Sequence, residues 1–331
     1  MTEYTGIQGQ NILITATDPA NPTGGQIWYN STSNLLKGYQ FAIVNAFASG
    51  GNVNTARGGA GVSGTQTAGL LFGGTPVPAP LSGTTELYNG TSWTASPVNM
   101  NTGAYWRGSS SAGTQTAALA FGGIAGPTFL NATESWNGST WTTNPAVLNS
   151  ARYGSGSSGT QTASLIYGGY LAGYSATGAT ESWNGTAWAT VNPMGAGRGY
   201  MASCGTQTAS LAFAGYIAPG GAVTNTESWN GTSWSPVSSL NTAGYSRSGF
   251  GIQTAAVAAG GSGYLTATEK WNGTNWTTNP TGLATGRFRA AGLGSQTAGL
   301  VITGKGPPTA FITNTEEWVG EALVTRTITT S

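Results

Sequence analysis

Apolar residues in this chain come in short bursts, each closed by small residues. LLFGG (70–74), LAFGG (119–123), LIYGG (165–169), LAFAG (211–215), VAAGG (257–261) and the degenerate LVITGKG (300–306) follow one another about 46 residues apart. Runs this short fit strands buried on both faces rather than helices. A Gly/Ser-rich stretch after an arginine precedes each burst, as in RYGSGSSG (152–159), and predicts an inner strand crowded by its neighbours. Behind each burst stands a segment such as ATESWNGTAWA (179–189), read as a hairpin of two further strands. Its Asn-Gly suits a tight turn, because both residues tolerate φ > 0.

Two strings fix the register of the repeat. G-[TI]-Q-T-A, with its relative SQTA in the last copy, places Gln66, Gln115, Gln161, Gln207, Gln253 and Gln296. T-E-[SLKE]-[WY] places Glu86, Glu134, Glu181, Glu227, Glu269 and Glu316. Aromatic pairs flank the hairpin turn: Tyr88/Trp93, Trp136/Trp141, Trp183/Trp188, Trp229/Trp234 and Trp271/Trp276, with Trp318 alone in the sixth copy. Six copies of four short strands predict an all-β, six-bladed β-propeller over residues 46–331. Residues 1–45 fall outside the repeat and read as an arm with a β-hairpin, and EALVTRTITTS (321–331) reads as a strand forming the outer edge of the sixth blade.

The apolar-Gly-Gly endings and spaced aromatic pairs resemble the kelch superfamily over roughly residues 50–325. The near-identical copies, NTARxG…GTQTAxLAFGG…ATESWNGTSW, resemble repeat proteins of tailed bacteriophages, especially marine and cyanobacterial ones. GGQIWYNSTSNLLKGY (24–39) is similar to a hairpin of phage appendage proteins. These resemblances imply a virion structural protein, a tail fibre, tail accessory or surface fibre. They also imply contacts of residues 1–45 with other virion proteins and a homo-oligomeric assembly.

Composition narrows the function. Charged residues are 6% of the chain and the net charge is +1, without the clustered Lys and Arg of a nucleic-acid footprint. No stretch approaches the ~20 apolar residues of a bilayer span, so no membrane insertion is expected. The N-terminus lacks the basic and apolar regions of a signal peptide; that favours a virion protein over the alternative of a secreted or cell-surface carbohydrate-binding adhesin. Cys204 is the single cysteine and reads as a small buried residue, so neither a disulfide framework nor a cysteine metal cage is expected.

The repeat also organises the charges. Each copy carries one of the six glutamates and one of Arg57, Arg107, Arg152, Arg198, Arg247 and Arg287. A charge repeated once per blade is architectural, since catalysis needs asymmetry; these residues are expected to pair with one another or with backbone N–H groups. Histidine is absent, which removes the usual base and metal ligand. A propeller glycosidase would have to draw its paired carboxylates from the repeat glutamates or from Glu317 and Glu321, and Glu316 and Glu317 point to opposite faces of one strand. No catalytic residue, metal or cofactor is therefore expected. The Asn-Gly-Ser/Thr sequons at Asn89, Asn137, Asn184, Asn230 and Asn272 are a by-product of the turns.

Propeller connectivity puts the near-identical SGTQ and NGT turns on one side and the loops between second and third strands on the other. Those loops vary from copy to copy and carry Phe129, Tyr170, Tyr174, Tyr216, Tyr264 and Phe311. Variation on a rigid scaffold marks a recognition surface, expected here to bind a host-surface glycan or protein or another virion subunit; the alternative is that these aromatics fold over the blade tops as satellite core.

Overall fold

A computed structural model describes residues 12–20, 26–76, 83–104, 108–109 and 113–327; for 39–43, 76, 108–109 and 321–327 the description is of the backbone alone. The chain divides into two compact units, residues 1–45 together with 320–331, and Ala46–Val319. The segment 320–331, assigned from sequence to the propeller, thus groups with the N-terminal residues.

In the first unit Ile27–Asn30 pairs antiparallel with Leu35–Gly38, forming the expected hairpin, and Leu13–Thr15 adds a parallel strand. Asp18 holds this hairpin. It accepts from Lys37 Nζ at 2.7 Å, Asn30 Nδ2 at 2.7 Å and Trp28 Nε1 at 3.1 Å. The Lys37 hydrogen bond, followed by those of Asn30 and Trp28, holds its carboxyl down at about 2.

The frame of the second unit is six larger antiparallel sheets among the described residues: sheet one (61–95), two (108–144), three (156–191), four (202–237), five (248–279) and six (291–319). Sheet three shows the pattern: Gly156–Gly159, Ser164–Tyr167, Thr180–Trp183 and Trp188–Val191, in that order from the inside outward. The innermost strands touch in cyclic order, with sheet six against sheet one. That makes the unit a β-propeller. Small inner-strand residues are required by contact: a Cβ on Gly156 would lie 2.4 Å from the Tyr167 ring.

The core consists of apolar layers between sheets. Leu119, Phe121 and Leu148 of one side meet Ile166, Trp183 and Trp188 of the next, for instance. Polar groups then lock neighbour to neighbour. Each outer-strand tryptophan donates its indole N–H to the threonine opening the T-E motif of the preceding sheet: Trp141 to Thr85, Trp188 to Thr133, Trp234 to Thr180, Trp276 to Thr226, and Trp93 back to Thr315. The repeat glutamines cross the same boundaries. Gln115 donates to the carbonyls of Gly69 and Tyr88, and Gln66 closes the circle by donating to those of Gly299 and Trp318.

Two sequence expectations are corrected. The outer neighbour of the third strand in sheet six is the N-terminal strand Leu35–Ser49, not a C-terminal one. Thr315–Thr327 runs on as one long third strand, with no Asn-Gly after Trp318 to turn it back. Phe47 then packs tilted against Trp318, ring centres 5.0 Å apart, filling the place of the absent second tryptophan, and Gly50 and Val53 donate to the carbonyls of Thr315 and Thr313. The Asn-Gly turns also differ from a two-residue loop. Trp183 pairs with Trp188 across four residues, and only Gly185 takes φ > 0 (96°). The Asn184 side chain instead accepts from the N–H groups of Thr186 and Ala187, an Asx turn.

Because Phe47 seals the joint between first and last strands, Phe47→Ala should lower stability by about 3 kcal/mol. Urea unfolding measures this; an unchanged midpoint would mean that the joint does not rely on Phe47.

Candidate functional site on the variable-loop face

The charges of the repeat form buried locks. Arg57–Glu86, Arg152–Glu181, Arg198–Glu227 and Arg287–Glu316 are hydrogen-bonded ion pairs, and Arg247 reaches Glu269 at 3.1 Å. Arg107 lies outside the described residues; Glu134 is buried and accepts from the N–H groups of Asn101 and Thr102. The other carboxylate oxygen of every glutamate accepts a backbone N–H from the segment entering its sheet: Asn54, Asn149, Gly195, Asn241 and Ala284 at 2.7 Å and Asn101 at 2.8 Å. The guanidinium groups spend further donors on carbonyls, as Arg287 does on Thr303 and Asn314. Burial pulls Arg57, Arg152, Arg247 and Arg287 below their ordinary pKa, and the paired carboxylate opposes that shift.

Arg247 reaches its glutamate from a different place. Its sequence separation from Glu269 is 22, against 29 in the other four pairs. Sheet five has the short loop SGYLTA between its second and third strands, and its entering segment runs GYSRSGF where sheet four has GRGYMAS.

The locks also position the loop face. The residue after the arginine pairs with the opening of the loop between second and third strands: Gly58 with Thr75, Tyr153 with Tyr170, Gly199 with Tyr216, Phe288 with Lys305. These loops are ordered ribbons. Ile124–Ala125 pairs with Thr128–Phe129, Tyr170–Leu171 with Ser175–Ala176, Tyr216–Ile217 with Gly221–Ala222, and Lys305–Gly306 with Ala310–Phe311.

The ribbons of sheets two, three and four bring Phe129, Tyr170, Tyr174 and Tyr216 into one aromatic run. Phe129 meets Tyr174 at 5.7 Å and Tyr153 at 5.2 Å; Tyr153 meets Tyr200 at 5.8 Å; Tyr200 meets Tyr245 at 6.2 Å, and Tyr245 meets Tyr216 at 5.3 Å. Tyr174 is 64% exposed, Phe129, Tyr200, Tyr216 and Tyr245 are half-buried, and Tyr170 is only 4% exposed. Tyr170 donates its hydroxyl to the Tyr216 carbonyl and covers Gly199 so closely that a Cβ there would sit 2.2 Å from its ring. It supports the run from beneath. Tyr264 and Phe311 stand apart from it, Tyr264 on Phe288 at 5.4 Å and Phe311 over Gly58.

Tyr153, Tyr200, Tyr245 and Phe288 escape a reading confined to the variable loops. Their signal is an aromatic within two residues of the repeat arginine, hidden in a stretch otherwise rich in Gly and Ser.

No protein-family model matches the chain, and no curated protein matches it. Among solved structures it is similar to one titled "Structure of YjhT", with a TM-score of 0.65 at 12% identity over 80% of this chain and 95% of that one. That protein is a β-propeller, and the likeness establishes the propeller fold of this chain.

Arg152→Met, which leaves Glu181 buried without its cation, should cost about 3–5 kcal/mol. Adding Glu181→Leu should recover much of that loss; urea unfolding that shows no recovery would place the effect elsewhere. Burial raises the Tyr170 phenol to about 12, and burial with the Glu317 hydrogen bond raises Tyr88 to about 12. Both are essentially neutral below about pH 9 in either state. Above it the unfolded chain ionises first, at an ordinary phenol pKa of about 10, so stability should fall between pH 10 and 12. Absorbance titration with parallel unfolding curves checks this, and a flat stability profile through that window would contradict it.

Proposed function

We propose that this protein is a non-enzymatic structural protein of a tailed-phage virion, a six-bladed kelch-like propeller. Its variable-loop face binds a host-surface glycan or protein, and residues 1–45 contact other virion proteins in an oligomeric assembly. The observation carrying the binding role is the aromatic run from Phe129 and Tyr174 to Tyr245 and Tyr216, which extends across sheets two to five of a scaffold that otherwise repeats itself. Aromatic platforms suit both sugar faces and protein hot spots. Tyr174 is held in the left-handed region at φ 62° with its ring mostly in solvent, a placement that core packing does not demand.

The remaining chemistry supports a binder. Five arginines and their glutamates are committed to buried pairs, and among the described residues no group of three His, Cys, Asp or Glu could hold a metal ion. The resemblance of the repeated strings and of residues 24–39 to phage proteins supports the virion setting.

Virions carrying Tyr174→Ser, Tyr216→Ser and Tyr245→Ser together should assemble at normal yield and adsorb to host cells at least ~10-fold more slowly, the effect of losing about 1.4 kcal/mol. Adsorption at the unmutated rate would reject the receptor-binding role.

A further inference from the structure

One backbone position breaks the repeat on the variable-loop side, where the inner strands begin. It is occupied by Gly59, Gly154, Tyr200, Ser246 and Arg289, with φ of 64°, 64°, 54°, 52° and 60°. These residues are equivalent, because their backbones join head to tail from sheet to sheet. Gly59 donates to Arg289, Arg289 to Ser246, Ser246 to Tyr200 and Tyr200 to Gly154, at 2.7 to 3.1 Å. The left-handed region disfavours L side chains, so glycine is the residue expected there. Three neighbouring sheets nevertheless keep a side chain, and those three differ from one another. Non-glycine residues held in this conformation point to a use for the side chain.

The three line a single cavity of about 100 Å³, together with Arg247, Gly59 and Gly154. Two of its buried polar groups are without partners among the described residues. Ser246 is 6% exposed and Arg247 4% exposed, and neither Ser246 Oγ nor Arg247 Nε has a hydrogen-bond partner among the described residues. Both can donate. Arg289 adds a guanidinium whose carbon lies 5.4 Å from the Phe288 ring centre, and among the described residues no carboxylate lines the cavity. Buried donors without acceptors, beside the Arg289 guanidinium and an Arg247 whose pairing with Glu269 leaves Nε unused, suit an anion with several oxygens. On the third side the Tyr200 ring lies over Gly154, and its hydroxyl donates to that of Tyr153, which ties the cavity to the aromatic run.

We propose that this cavity receives an oxyanion group, a sulfate, phosphate or carboxylate, borne by the glycan that the variable-loop face binds. Arg289, Arg247 Nε and Ser246 Oγ hold the oxygens, and the adjoining sugar lies over Tyr200. The inference rests on the receptor-binding reading above and adds the charge of the receptor to it.

Calorimetric titration of the full chain tests it with a sulfated oligosaccharide, a uronate-bearing one, their neutral counterparts and inorganic sulfate. The anionic oligosaccharides should bind at least ~10-fold more tightly than the neutral ones. The preference should shrink as salt rises, because screening weakens charge pairing. Arg289→Gly should erase the preference, and it tests binding rather than folding, since Gly59 and Gly154 occupy the same position in their own sheets. Tyr200→Gly should weaken the oligosaccharides and leave inorganic sulfate unchanged. Equal binding of anionic and neutral oligosaccharides, binding of inorganic sulfate alone, no binding of any probe, or an unaltered preference in Arg289→Gly would each overturn the proposal. If neutral oligosaccharides bind and depend on Tyr174, Tyr216 and Tyr245, the receptor reading stands and the oxyanion site alone falls.

Discussion

A carboxylate on the third strand of each sheet, buried with a backbone N–H and, in five of the six sheets among the described residues, with an arginine, is the constraint on which the rest depends. The glutamate belongs to one sheet, and the segment it grips is the chain arriving from the sheet before, as when Glu181 holds Asn149 and Arg152. That grip sets where the inner strand starts. It also fixes the residue after the arginine, which pairs with the ribbon carrying the aromatics. Such a pair adds little net stability over an apolar substitute, but it tolerates no half-measures once buried. It therefore acts as a register device, and a chain with 6% charged residues commits most of them to it.

Division of labour follows. Turns that repeat almost without change, with glutamines and tryptophans crossing each boundary, hold sheet to sheet. They enclose a cavity of about 440 Å³ at the end lined by Thr65, Gln66, Thr114 and Thr206. At the other end the copies diverge, in ribbons whose bases are pinned by the locks and whose tips are free to vary. A rigid base with variable tips suits the proposed binding role, because it would hold contact residues in place at low entropic cost.

Much of this was legible in the sequence, because a period of about 46 residues places every glutamate, glutamine and tryptophan in an equivalent setting. The failures are equally instructive. Phe47 belongs to no repeat string, so its role as the missing partner of Trp318 needed the strand pairing that joins distant parts of the chain. Tyr170 looked like a contact residue because it opens a variable loop, yet the base of a ribbon is buried and only its tip, at Tyr174, reaches solvent. The shared backbone position of Tyr200, Ser246 and Arg289 was hidden for another reason. Ser246 precedes its arginine while Tyr200 and Arg289 follow theirs, and only the chain of backbone hydrogen bonds shows that the three are equivalent.

Hydrogen exchange of the full chain, with and without isolated host-surface material, tests most directly that recognition is confined to the variable-loop face. The account predicts slowed exchange in residues 124–132, 170–179 and 216–225 and unchanged exchange in the Asn-Gly turns at 137–140, 184–187 and 230–233. Protection of those turns, with the three ribbons exchanging as before, would contradict it.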